Sequence, residues 1–142
     1  MRANPSPAVR QSGSMLLEGL IAILIFSMGI LAIVGMQGAA VKASSEAKYR
    51  SDAGLLANQL IGTMWVSDRT TASLQTSFNS PGGAAYATWA TEVQNTLPGA
   101  QANQPTVVVD NDGVVTVTVF WLAPNEAAGA NPHRFVAMAQ VK

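Results

Sequence analysis

The chain has 142 residues, room for one domain of ordinary size. Its formal net charge is zero and it has no cysteine, which excludes a basic nucleic-acid footprint, a disulfide framework and a thiolate metal site. Only 11% of residues are charged against 49% hydrophobic, and the imbalance is local: between Ser14 and Val41 the sole charge is Glu18.

Residues 1–13, with Arg2, Arg10, Pro5, Pro7 and no acid, read as a short, basic, unstructured leader. Ser14 to Met36 follows without a proline. As a helix it would span about 35 Å, enough for a hydrocarbon core of about 30 Å. Gly19, Gly29 and Gly35 weaken a helix in water, but lipid offers the backbone no competing partners. Residues 37–66 turn amphipathic. Ala53, Leu56, Ala57, Leu60, Ile61 and Met64 recur at spacings of three and four, one face of a helix. The expectation is one helix over about 14–66, with a transmembrane half (14–36) and an amphipathic half (37–66) laid on a head (67–142).

Residues 67–84 read as a loop, with Ser80-Pro81-Gly82-Gly83 as the strongest breaker. Residues 84–97 read as a short helix with Tyr86, Trp89, Ala90, Val93 and Leu97 on one side, stopped by Pro98-Gly99. Thr106–Val109 and Val114–Trp121 are β-branched runs around Asp110-Asn111-Asp112-Gly113, a hairpin signal. Residues 134–141 alternate as a third strand. The order predicts an α+β fold: a long N-terminal helix on a small antiparallel sheet, with one short extra helix.

Several residues have a bland reading beside a sharper one. Asp110-Asn111-Asp112-Gly113 resembles the start of a calcium loop but lacks the later ligands, so a turn is expected. His133, the only histidine, reads as a loop residue rather than a metal ligand. Trp65, Trp89 and Trp121 read as core. No spacing assembles a catalytic constellation, so no enzyme, cofactor or metal is expected.

The informative stretch is Gly13-Ser14-Met15-Leu16-Leu17-Glu18 and the uncharged run after it. A glycine at the polar–apolar border disfavours carrying the helix upstream and lets a peptidase approach the backbone closely. By the positive-inside rule the leader arginines stay cytoplasmic and the head lies outside. An acidic group deep in a bilayer costs about 2.5–3.5 kcal/mol, so Glu18 calls for a partner or a function. Residues 1–36 also fit an uncleaved anchor, or a secretory signal cut near Gly38-Ala39-Ala40.

This pattern resembles the class III signal of type IV prepilins and type II secretion pseudopilins. The resemblance implies cleavage between Gly13 and Ser14 by a prepilin peptidase, N-methylation of Ser14, and an assembly role for the Glu18 carboxylate. Most members have phenylalanine where this chain has Ser14. Within that superfamily, Ser27-Met28-Gly29-Ile30-Leu31, Gly35-Met36-Gln37 and the Leu16-Leu17-Glu18 triplet look like the PilV-type minor pilins. The implied protein is a minor pilin of the bacterial inner membrane with a periplasmic head, assembling with other pilins through its N-terminal helix. The alternatives are a secretion pseudopilin and a membrane-anchored binding or adhesion protein that never polymerises.

Overall fold

The computed structural model describes residues 12–124, 126, 127 and 129–142; the rest of the expected leader, residues 1–11, lies outside them. The elements run α1 (Ser12–Val66), α2 (Thr71–Phe78), α3 (Ala84–Thr96), β1 (Thr106–Val109), β2 (Val114–Trp121) and β3 (His133–Gln140). This is an α+β fold. The chain divides into two compact units, one ending at Lys42 and one beginning at Ala43.

The described residues of the first unit are all helix, and their side chains from Ser14 on are exposed, including Leu16 at 72%, Ile25 at 65% and Phe26 at 69%. An apolar helix surface of this kind has no driving force to stay in water. The helix is long and apolar enough to cross a membrane.

The second unit has a conventional core. Along α1, Ala53, Leu56, Ala57, Leu60 and Met64 are almost completely buried, the stripe that the three-and-four spacing predicts. Polar residues lie off it, and Lys48 Nζ pairs with Asp52 Oδ2 at 2.8 Å one turn on. From α3, Tyr86, Trp89, Ala90 and Val93 enter the same core, followed by Leu97 just past the helix. The Trp89 indole N–H donates to the Leu56 carbonyl at 2.9 Å, which ties α3 to α1. The Tyr86 hydroxyl donates to the Pro105 carbonyl at 2.8 Å, which ties α3 to the start of β1.

The sheet is antiparallel in the order β1-β2-β3. On β2, Val115, Val117, Val119 and Trp121 point into the core while Val114, Thr116, Thr118 and Phe120 are half-buried on the other face. Such two-residue alternation is what one packed and one wetter sheet face demand. The β1–β2 turn closes on Asp110, whose Oδ1 accepts the Asp112 and Val114 N–H groups at 2.9 and 2.8 Å. Gly113 sits at φ +75°, where a side chain is strained, and a Cβ there would meet the Val141 oxygen at 2.9 Å.

Four expectations change. The segment 67–84 is not all loop, because α2 forms within it, so the fold has two short helices rather than one. Its Leu74 and Phe78, four residues apart, are buried at 0% and 3% exposure. That anchoring outweighs the polar composition which suggested a loop. Trp65 is not core: it is 46% exposed, with the Arg69 guanidinium 5.9 Å from its ring centroid. His133 is not a loop residue but the first residue of β3, paired with Trp121. Finally, the described part of α1 already includes Ser12 and Gly13, so Gly13 is itself helical rather than lying just before a helix that starts at about residue 14.

Candidate functional site

The residues singled out near the N-terminus fall within the first two turns of the described part of α1. Gly13, Ser14 and Glu18 are all exposed. Ser14 and Glu18 are four residues apart, so they share one helix face about 6 Å apart along the axis. A Cβ built on Gly13, Gly19, Gly29 or Gly35 meets nothing within 4 Å, so each leaves a shallow opening on the helix surface. Small residues of this kind let a neighbouring helix approach closely in an apolar medium.

One polar group in this stretch is satisfied internally. The Ser27 hydroxyl donates to the Ile23 carbonyl at 2.7 Å. A hydroxyl bonded back to its own helix removes the cost of an unpaired donor in hydrocarbon. Glu18 is the one charged side chain from Ser14 to Val41, and at that position a carboxylate is the group that most needs a cationic partner.

The second unit holds a histidine–carboxylate cluster that no spacing in the chain announces. His133 Nε2 lies 2.6 Å from Glu126 Oε1, and His133 Nδ1 lies 3.6 Å from Glu46 Oε1. The ring stacks on Trp121 at 5.6 Å and 18°. Glu46 comes from α1, Glu126 from the β2–β3 connection and His133 from β3, so the cluster fastens three elements. Its two carboxylates meet opposite ring nitrogens and therefore do not converge on one point. No group of three His, Cys, Asp or Glu side chains among the described residues could hold a metal ion.

Asp110 uses its Oδ1 on turn N–H groups, as a hairpin residue does. Asn111 Oδ1 accepts from the Gln75 side-chain amide at 3.3 Å. An open groove between α1 and α3, floored by Leu60 and Trp89, carries Gln59 and Glu92 on its rim within 3.3 Å of each other. No titratable side chain along it shows the pairing that general acid–base chemistry requires.

The chain matches no protein-family model, no curated protein and no solved structure.

Proposed function

We propose that the protein is a minor type IV pilin, most similar to the PilV-type group, cut between Gly13 and Ser14 by a prepilin peptidase, N-methylated at Ser14, and assembled with other pilins through α1. The observation that carries the reading is the placement of a lone carboxylate, Glu18, one helical turn after Ser14 on a membrane-length apolar helix. The α+β head and the exposed apolar surface of the N-terminal unit agree with it.

The physical mechanism follows from the solvent. In the bilayer the apolar side chains of α1 have no reason to leave lipid for one another, so helix association rests on packing and on buried polar pairs. Cleavage after Gly13 would create an α-amino cation at Ser14. Glu18, on its own helix or a neighbour's, is the carboxylate placed to meet it. Two such charges about 4 Å apart in a low-dielectric medium attract strongly, although desolvation offsets much of the gain. The net benefit is register: apolar helices slide past one another at little cost, and a misaligned charge pair penalises every wrong offset.

The test is Glu18→Ala, with membrane insertion and assembly read separately. The variant should insert as well as the parent, since removing a charge eases partition into lipid. Its incorporation into filaments should fall at least about tenfold, the loss of about 1.4 kcal/mol of pairing. Incorporation equal to that of the parent would overturn the role given to Glu18.

A further inference from the structure

The two edges of the sheet are treated differently. In an antiparallel sheet the backbone groups of alternate residues face alternate neighbours. Two bonds fix the phase here: Asp110 N–H donates to the Val114 carbonyl, and Val141 N–H donates to the Gly113 carbonyl. Backbone groups of Val107 and Val109 therefore face away from β2 on one edge. Those of Arg134, Val136, Met138 and Gln140 face away from β2 on the other.

The β1 edge is closed by the α2–α3 region. Ser80 N–H donates to the Val107 carbonyl at 3.0 Å, and the Ser80 hydroxyl accepts the Val107 N–H at 3.1 Å. Asn79 Oδ1 accepts the Val109 N–H at 2.7 Å, and the Gln75 amide donates to the Val109 carbonyl at 3.1 Å. Every outward group of that edge is occupied.

The β3 edge has no such cover. Among the described residues nothing bonds to the outward N–H and C=O groups of Arg134, Val136, Met138 or Gln140. All four side chains are exposed, Val136 at 46% and Met138 at 70%. The strand holds no proline and no inward lysine, the usual devices that blunt an edge. The core also thins here. Phe135, Ala137 and Ala139 face inward but are only half-buried, whereas Val115, Val117 and Val119 of the next strand are 0% exposed. One further strand would satisfy the backbone and cover that inner row together.

We propose that the outer edge of β3 is a strand-addition site for an extended segment of a different protein. The segment pairs with 134–140 through main-chain hydrogen bonds, lays apolar residues beside Val136 and Met138, and carries an acidic residue at each end. The acids follow from charge: residues 134–142 include Arg134 and Lys142 and no Asp or Glu. Glu46 and Glu126, the carboxylates beside the start of the strand, are held at His133. Main-chain bonds supply affinity in this mode and alternate side chains supply specificity.

A second copy of this chain fits worse. Its β1 edge is already filled. Pairing β3 with a second β3 brings together two edges that each carry Arg134 and Lys142 and no Asp or Glu over residues 134–142, so neither supplies the acidic groups the other lacks.

The experiment uses the full chain in detergent micelles and reads backbone amide exchange residue by residue. The probe is a synthetic peptide of alternating valine and threonine with glutamate at both ends. Its control is the same peptide N-methylated on alternate nitrogens so that it cannot donate to an edge. The unmodified peptide should slow exchange at Val136 and Met138 at least about tenfold, and the methylated one should not. Met138→Pro removes an outward N–H without touching the β2–β3 ladder, so it should keep the fold and lose the protection. Should that variant misfold, the methylated peptide on the parent chain still decides. Unchanged exchange with the unmodified peptide overturns the proposal. So does protection that precedes the peptide: if it grows with protein concentration, a second copy fills the edge, and if it does not, the chain covers its own edge. None of these readouts depends on cleavage at Gly13, so failure of the pilin reading is seen separately, in the mature mass.

Discussion

Trp89→Phe isolates the joint between α1 and α3. The indole is 5% exposed and donates its one N–H to the Leu56 carbonyl at 2.9 Å. Phenylalanine keeps an aromatic ring but has no donor. Leu56 keeps its place in the α1 ladder, so its carbonyl is not orphaned, and the lost bond costs about 1 kcal/mol. The smaller ring leaves a void beside Leu60 and Tyr86, worth about another 1 kcal/mol. The sum, about 2 kcal/mol, is a sizeable share of the roughly 5–15 kcal/mol that holds a domain of this kind. It should lower the Tm of the head by about 8–16 °C. Thermal unfolding followed by near-ultraviolet circular dichroism on the full chain in detergent reads the shift. Trp65→Phe is the control: Trp65 is 46% exposed, and the change there should stay within about 0.5 kcal/mol. If the two variants melt together, the α1–α3 joint is not where the structure puts it.

Two further outcomes follow from single residues. Gly113→Ala should cost about 1–2 kcal/mol in denaturant unfolding, because φ +75° and the Val141 oxygen at 2.9 Å both oppose a Cβ; a neutral result would mean the turn re-forms differently. Burial raises the Tyr86 phenol above its ordinary value of 10.0. The unfolded chain then ionises first, so stability contributed by neutral Tyr86 is complete below about pH 10 and lost as pH rises toward the folded value. Tyr86→Phe should flatten that alkaline fall while costing about 1 kcal/mol at neutral pH from the bond to Pro105. An alkaline unfolding profile parallel to the parent's would contradict the burial argument.

What the sequence made legible was periodic. The α1 stripe from Ala53 to Met64 and the α3 face from Tyr86 to Val93 repeat at helical spacing, and β2 alternates, so spacing alone marks their buried faces. The hairpin at 110–113 was readable because turn residues act locally. The helix α2 was not, since only Leu74 and Phe78 carry it and neither forms a repeat. Trp65 misled for a related reason. It follows Met64 by one residue, and a step of one turns a helical side chain about 100° away from the buried stripe. The His133 cluster could not be foreseen at all, because Glu46 meets it only through the packing of α1 on β3. At the candidate site, Gly13 and Glu18 were singled out from local chemistry and Ser14 through the resemblance to prepilins. The Ser27 bond to Ile23 follows the ordinary i−4 pattern of a helical serine and was there to be predicted.

The central claim is that the chain functions as a processed pilin subunit, and intact mass is its most direct measure. Protein recovered from membranes of cells with an active prepilin peptidase should lack residues 1–13, begin at Ser14 and carry one added methyl group. Cells without the peptidase should yield a chain that keeps the leader. A membrane form that retains residues 1–13 in both would contradict the account and leave α1 as a simple anchor.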